Sequence, residues 1–178
     1  MRRDIVCLLN PQSKPPISAR TMLNLWGGFA AGVIYVTIGV HPCNCSQFTK
    51  TPSSASTILD ELKALAIEAK ASKHAVAFGE IGLDYDRLEH CSKEIQLQYF
   101  EAQLSLATEI QLPLFLHSRA AHSDFLSLLS KYEDKLPKRG VVHSFTGTKE
   151  EMWELVGKGW DIGINGCSMK TRENCEGD

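Results

Sequence analysis

Positive charge is not in excess in this sequence. Nineteen lysines and arginines stand against 21 aspartates and glutamates, leaving a net charge of −2 over 178 residues and a pI near 6.3. That balance argues against a protein that holds nucleic acid by a bulk positive field. It leaves room for one that touches a few phosphates and lets metal ions supply the charge. The six cysteines, at 7, 43, 45, 91, 167 and 175, lack zinc-finger spacing; Cys43-Asn-Cys45 is too tight for the usual two-residue gap. No leader with a secretory cleavage site is present, so the thiols read as reduced and the expected location is intracellular, cytoplasmic and/or nuclear. Neither G-x-G-x-x-G nor G-x-x-x-x-G-K-[ST] follows any strand assigned below, which removes support from the nucleotide-binding open sheets. No Ser-His-Asp arrangement is legible, and no cysteine sits at a strand end beside a histidine.

What is present is an ordinary globular composition, 43 % apolar and 22 % charged, long enough for one domain with a real core. Residues 21–40 carry no charge, and length alone would permit a membrane span. Four glycines, an asparagine and two threonines dilute that stretch, and its β-branched second half reads as a buried parallel strand. No membrane anchor is therefore expected. Residues 1–20, with three prolines and four basic residues against one acid, show no period and read as a disordered leader. The domain reading is a divergent or disordered segment over 1–32, a domain over 33–173 and a tail over 174–178.

From residue 33 the pattern becomes regular. The run VIYVTI between Gly32 and Gly39 is a strand, followed by a Ser/Thr/Pro-rich loop to about residue 57. Residues 57–70 form a helix with Thr57 as N-cap and Ile58, Leu59, Leu62, Leu65, Ala66 and Ala69 on one face. Ala75 to Gly79 is a short strand. A second helix covers 92–110 with Ile95, Tyr99, Ala102 and Leu106 as its stripe, and LFLH at 114–117 is the next strand. A third helix spans roughly 122–133, with Phe125, Leu126, Leu128 and Leu129 inside. Gly140 opens the strand VVHSF, Thr148 caps a fourth helix to about 158, and 160–164 is the fifth strand. Short apolar strands alternating with amphipathic helices give an α/β protein with a parallel sheet, either a doubly wound open sheet or a (β/α) barrel.

Glu80 follows one strand, His117 ends the next and His143 ends the one after. In a parallel barrel those ends share one face, where the catalytic groups of such barrels sit. Singly, a strand-end Glu is often a surface charge and a strand-end His a structural hydrogen-bonding residue. Together they form an oxygen and nitrogen set suited to Zn, Mn, Fe or Mg. Arg119, two residues after His117, has the guanidinium fork that fits a phosphate, or is a solvated surface charge. His41, before Pro42, lines the site or closes a turn. Asp84 orients a ligand from behind or caps the following segment. His74, His90 and His122 have no assigned role.

These residues also carry a resemblance. The segments IGVHPCN (38–44), GEIGLDYDR (79–87), LPLFLHSR (112–119), GVVHSFTGT (140–148) and IGINGCSMKT (162–171) resemble, in order and spacing, the signature blocks of the TatD family of metal-dependent deoxyribonucleases, in its eukaryotic branch. The resemblance covers about residues 33–173. It implies a TIM-type (β/α) barrel, present here as about five of eight βα units, and a hydrolase cleaving DNA phosphodiesters, from the 3′ end and/or internally. Alternatives are a catalytically inactive fragment or interaction protein, and a metal-dependent amidohydrolase of a small molecule. By matching position, Glu80 would be the catalytic carboxylate that binds metal, with His117 and His143 as histidine ligands. One or two divalent cations would be held, Mg²⁺ first, Mn²⁺ or Zn²⁺ as alternatives. Arg119 and His41 would bind substrate DNA. Two family blocks are not found, a first strand bearing His-x-His and a later aspartate block like E-T-D-A-P, so an incomplete barrel truncated at both ends is expected. The oligomeric state is left open.

Overall fold

Among the described residues, six strands form one parallel sheet, and their order across the sheet is their order along the chain. The computed structural model describes residues 4–7, 34–137, 140–166 and 168–169. The elements are β1 (Asp4–Cys7), β2 (Ile34–Ile38), a 3₁₀ segment (Pro42–Thr49), α1 (Ser54–Ala71), β3 (Ala75–Asp84), a short 3₁₀ turn (Tyr85–Arg87), α2 (Lys93–Ile110), β4 (Leu114–Arg119), α3 (His122–Tyr132), β5 (Gly140–His143), α4 (Lys149–Gly157) and β6 (Asp161–Ile162). Every neighbouring pair is parallel. A doubly wound sheet reverses its strand order at a switch point. Here the order runs straight through, which is how the successive units of a barrel are laid down. The strand order thus decides between the two folds that the sequence pattern left open, in favour of a partial (β/α) barrel.

The expected strands and helices are present, with shifted boundaries. Helix α1 begins three residues before Thr57, with Ser53 as N-cap, and Thr57 is an exposed residue inside it. Its inner face is Leu62, Ala66 and Ala69, with Ile58, Leu59 and Leu65 half-buried beside them. The loop after β2 contains the 3₁₀ segment, whose Phe48 stacks on Tyr99 of α2 with centroids 4.2 Å apart. In α2, Tyr99 and Leu106 are buried as expected, whereas Ile95 and Ala102 are only half-buried. Two glutamines, Gln96 and Gln103, are fully buried on that helix instead. Phe125 of α3 packs on Phe100 of α2, their rings nearly parallel and 5.4 Å apart. Thr148 closes a capping box on α4, accepting from Glu151 N at 3.2 Å while Thr148 N donates to Glu151 Oε2 at 2.9 Å. That satisfies two of the orphan amides at the helix start.

One face of the strands is fully covered, while on the other face residues such as Phe115 and Val141 are half-buried. Ile38, Phe78, Ile81, Leu83, Leu114, Leu116 and Val142 are all buried. Strand β1 lies within residues 1–20, which the sequence pattern read as a disordered leader. Its four residues, Asp4 to Cys7, are too few to show a period, yet they pair in register with Ile34 to Thr37. The rest of 1–32, and 174–178, lie outside the described residues, as does the first part of the uncharged stretch 21–40. The second part of that stretch is β2. Among the described residues, no helix is long and apolar enough to cross a membrane.

Candidate metal centre

Glu80 is not beyond a strand end but inside β3, which runs on to Asp84. The register with β4 shifts there: Gly79 faces Phe115 and Ile81 faces Leu116, so Glu80 is an extra residue on β3. A bulge of this kind re-aims one side chain without breaking the sheet, and bulges gather next to active sites. Two glycines allow it. A Cβ on Gly79 (φ +149°) would fall 2.0 Å from the carbonyl oxygen of Phe115. On Gly82 (φ +147°) it would fall 1.9 Å from that of His117. The two strands approach so closely that only glycine fits at both places.

The histidines close in from the neighbouring strands. His117 on β4 is in register with His143 at the end of β5. His117 Nδ1 lies 2.9 Å from Glu80 Oε1, and His143 Nε2 lies 2.5 Å from the same oxygen. His41, just before the 3₁₀ segment, brings its Nε2 to 3.4 Å from it. Three imidazole nitrogens from three βα units thus meet one carboxylate oxygen. The His41 Nδ1 accepts from Cys43 N at 3.2 Å, so in the neutral ring Nε2 carries the proton. His143 is held from behind: Ser144 Oγ is 2.9 Å from its Nδ1, Asn165 Nδ2 donates to Ser144 Oγ at 2.5 Å, and its ring stacks on Phe115.

Asp84 completes the cluster. It is fully buried, and its Oδ2 lies 3.0 Å from His117 Nε2. Although Asp84 precedes the 3₁₀ turn, its side chain makes no capping hydrogen bond there. Orienting His117, rather than capping, is therefore what the carboxylate does. Its Oδ1 is buried without a hydrogen-bond partner among the described residues. Sequence reasoning underweighted Asp84 because β3 was ended at Gly79. Once the strand continues, Glu80, Gly82 and Asp84 alternate onto one face. Ser144 and Asn165 carry no comparable signal, since each matters only through the tertiary contact to His143.

Electrostatics follow from this packing. Burial by itself would raise the Glu80 carboxyl, but hydrogen bonds from His117, His143 and His41 outweigh it and hold the group well below the usual carboxylate range. Burial likewise opposes ionisation of Asp84, and the His117 contact with the charges of Arg87 and Arg119 overcomes it and lowers the group. For His117 burial favours the neutral ring, yet the two carboxylates win and raise it. A neutral imidazole has one N–H, so donating to both Glu80 and Asp84 requires a protonated ring. Arg119, at the end of β4, is in register with Asp84. It stands one step out from the histidines.

The donor set fits a divalent cation. The ligand atoms of Glu80, His117 and His143 all lie within 4.8 Å of one another, as do those of His41, Asp84 and His117. With Nε2 of His117 donating to Asp84, loss of the Nδ1 proton to an arriving cation would leave an Nδ1 lone pair facing the space between Glu80 and His143, as in carboxylate–histidine–metal arrangements. Strand β1, which neighbours β2, carries Asp4, Ile5, Val6 and Cys7 and no histidine, so the His-x-His of the resemblance is not there.

Comparison with known proteins agrees with this chemistry. The family profile described as TatD related DNase matches residues 2–176. Deoxyribonuclease Tat-D of Schizosaccharomyces pombe is 52 % identical over 140 residues, covering 79 % of this chain and 45 % of that protein. The 3′-5′ ssDNA/RNA exonuclease TatD of Citrobacter koseri is 43 % identical over 140 residues, 79 % of this chain and 49 % of its own. The crystal structure of a hydrolase TatD family protein from Entamoeba histolytica superposes with a TM-score of 0.75 at 33 % identity, covering 96 % of this chain and 54 % of that one. The chain spans about half the length of the relatives it matches. A straight-ordered parallel sheet, a carboxylate ringed by imidazoles from neighbouring βα units and a profile match across nearly the whole sequence have one common account: this chain belongs to the TatD family of DNases.

Proposed function

We propose that the chain contributes to a metal-dependent hydrolase site that cleaves DNA phosphodiester bonds, as a 3′-5′ exonuclease and/or endonuclease. The observation that supports this reading most is the meeting of His41, His117 and His143 at Glu80 Oε1. In this reading Glu80, His117 and His143 hold one divalent cation, Mg²⁺ first, with Mn²⁺ or Zn²⁺ as alternatives. A cation held there would offset negative charge on the phosphoryl oxygens and would lower the pKa of water so that hydroxide is available near neutral pH.

The residues divide the rest of the work. Glu80 is held ionised by its surroundings, which suits a ligand better than a proton acceptor. His41 offers an Nε2–H donor to a phosphate oxygen, since Nδ1 is engaged by Cys43 N. Arg119 offers a planar fork for a neighbouring phosphate. With a net charge of −2 for the whole chain, such local donors, rather than a diffuse field, bring the substrate in.

The test is cleavage of end-labelled single- and double-stranded DNA with Mg²⁺ or Mn²⁺, against EDTA, beside a Glu80→Ala/His117→Ala double variant. Metal-dependent cleavage missing from the variant supports the reading. No cleavage by a folded, metal-binding chain would instead make it a family member without the chemistry. Turnover of a cyclic amide or ester but not of DNA would assign the site to small-molecule hydrolysis.

A further inference from the structure

Helix α2 carries two glutamines where a core helix ordinarily carries leucine. Gln96 and Gln103 are each 0 % exposed. They lie seven residues apart, two helical turns, and so share a face. Each uses its amide as a substitute peptide group. Gln103 Oε1 accepts from Val40 N at 2.7 Å, while its Nε2 donates to Val40 O at 3.1 Å and to Tyr99 O at 3.2 Å. Gln96 Oε1 accepts from Asp84 N at 2.8 Å, and its Nε2 donates to Asp84 O and Cys91 O, both at 2.9 Å. Both N–H donors of each amide are used.

The two clamped residues are the ones that deliver the site. Val40 is the residue before His41, two places beyond the end of β2. Asp84 is the last residue of β3 and the partner of His117 Nε2. At both points the chain leaves the sheet, and its buried N–H and C=O need partners that strands no longer supply. Leucine would fill the space and leave those groups unpaired.

We propose that Gln96 and Gln103 are positioning residues of the metal centre: Gln96 sets His117 through Asp84, and Gln103 sets His41 through Val40. The assignment rests on the reading of Glu80, His117 and His143 as a cation site. It makes a residue-specific prediction that general core packing does not, because each glutamine addresses a different imidazole.

The experiment compares Gln96→Met and Gln103→Met, near-isosteres without the amide, in the 178-residue chain. Histidine ring nitrogen-15 resonances are recorded without metal, and Mn²⁺ affinity is measured by electron paramagnetic resonance. Gln96→Met is expected to move the His117 ring signals and weaken Mn²⁺ binding about 10- to 100-fold, the range for groups behind metal ligands. Gln103→Met is expected to move the His41 signals more than those of His117, whose ring lies edge-on to His41 with centroids 4.7 Å apart, and to weaken Mn²⁺ binding less than Gln96→Met does. Folded variants with unchanged ring signals, or with identical changes at both histidines, would overturn the proposal. If the wild-type chain binds no Mn²⁺, the cation reading fails while the metal-free ring signals still decide whether the clamps position the imidazoles. If neither variant folds, amide hydrogen exchange of the wild type decides. Val40 and Asp84 amides protected like strand interiors support the clamps, and exchange at exposed-loop rates overturns them.

Discussion

Asp84 Oδ2 lies 3.0 Å from Nε2 of His117, and Asp84 has no exposed surface. This contact fixes the ring so that Nδ1, not Nε2, faces Glu80. Replacing Asp84 with Asn keeps the shape but removes the charge that favours this orientation. Asp84→Asn is expected to bind Mn²⁺ about 10- to 100-fold more weakly than wild type, by isothermal titration at pH 7.5. Unchanged affinity would mean that His117 is held without it.

Cleavage activity should sort the acidic residues. Glu80→Ala and His117→Ala remove proposed ligands and are expected to abolish metal-dependent DNA cleavage. Asp86→Ala, at an exposed position in the turn after β3, is expected to leave the rate within about twofold of wild type, as surface substitutions usually change little. Equal losses at all three positions would refute the site assignment.

The metal-free protein should show a defined pH profile. His117 is raised above its ordinary 6.5, so its contribution is fully present below that value and is lost as pH rises through the folded pKa. Glu80 and Asp84 are lowered from 4.5 and 3.8, so theirs are present above those values and are lost as pH falls through the folded pKa values. Melting temperature in EDTA is expected to peak between these limits. A cation held by His117, as proposed, would displace a proton from its ring, so Mn²⁺ affinity should climb as pH rises through the same folded pKa. An affinity that stays flat as pH rises well above 6.5 would contradict the protonated ring.

Gly82→Ala tests the close approach of β3 and β4. A Cβ there would lie 1.9 Å from the His117 carbonyl oxygen at a φ of +147°. Overpacking plus the strained backbone is expected to cost about 3 kcal/mol or more. That corresponds to a fall in Tm on the order of 6–12 °C for a chain of this size. Thr148→Ala is the contrast. Loss of the capping box should cost about 1 kcal/mol and leave Mn²⁺ affinity alone. Thermal melts of the two variants, with and without Mn²⁺, check both expectations.

VIYVTI, LFLH and GVVH announce buried parallel strands because continuous β-branched and leucine runs have few other uses. His117 and His143 were placed on neighbouring strands from spacing alone, and they are in register, although β4 runs two residues past His117 to Arg119. Glu80 was found, but its strand was cut short at Gly79, since a glycine pair around a bulge looks like a turn when no partner strand is visible. Gln96 and Gln103 drew no attention in the sequence for a similar reason. A polar residue on a helix is assigned to solvent unless its backbone partners are known, and those partners lie 12 and 63 residues away.

The sequence by itself determined the alternation of strand and helix, the family through five ordered blocks, and which side chains have the chemistry to bind a cation. Those properties are local: periodicity, composition and residue type need no knowledge of what folds against them. Only the tertiary structure decided that the sheet runs straight rather than reversing, that Asp84 orients His117 instead of capping a turn, and that four residues at Asp4–Cys7 join the sheet edge. Each of these depends on pairing between segments far apart in the chain, and a long-range hydrogen bond, unlike a local cap such as that of Thr148, has no signature in sequence until both of its partners are placed.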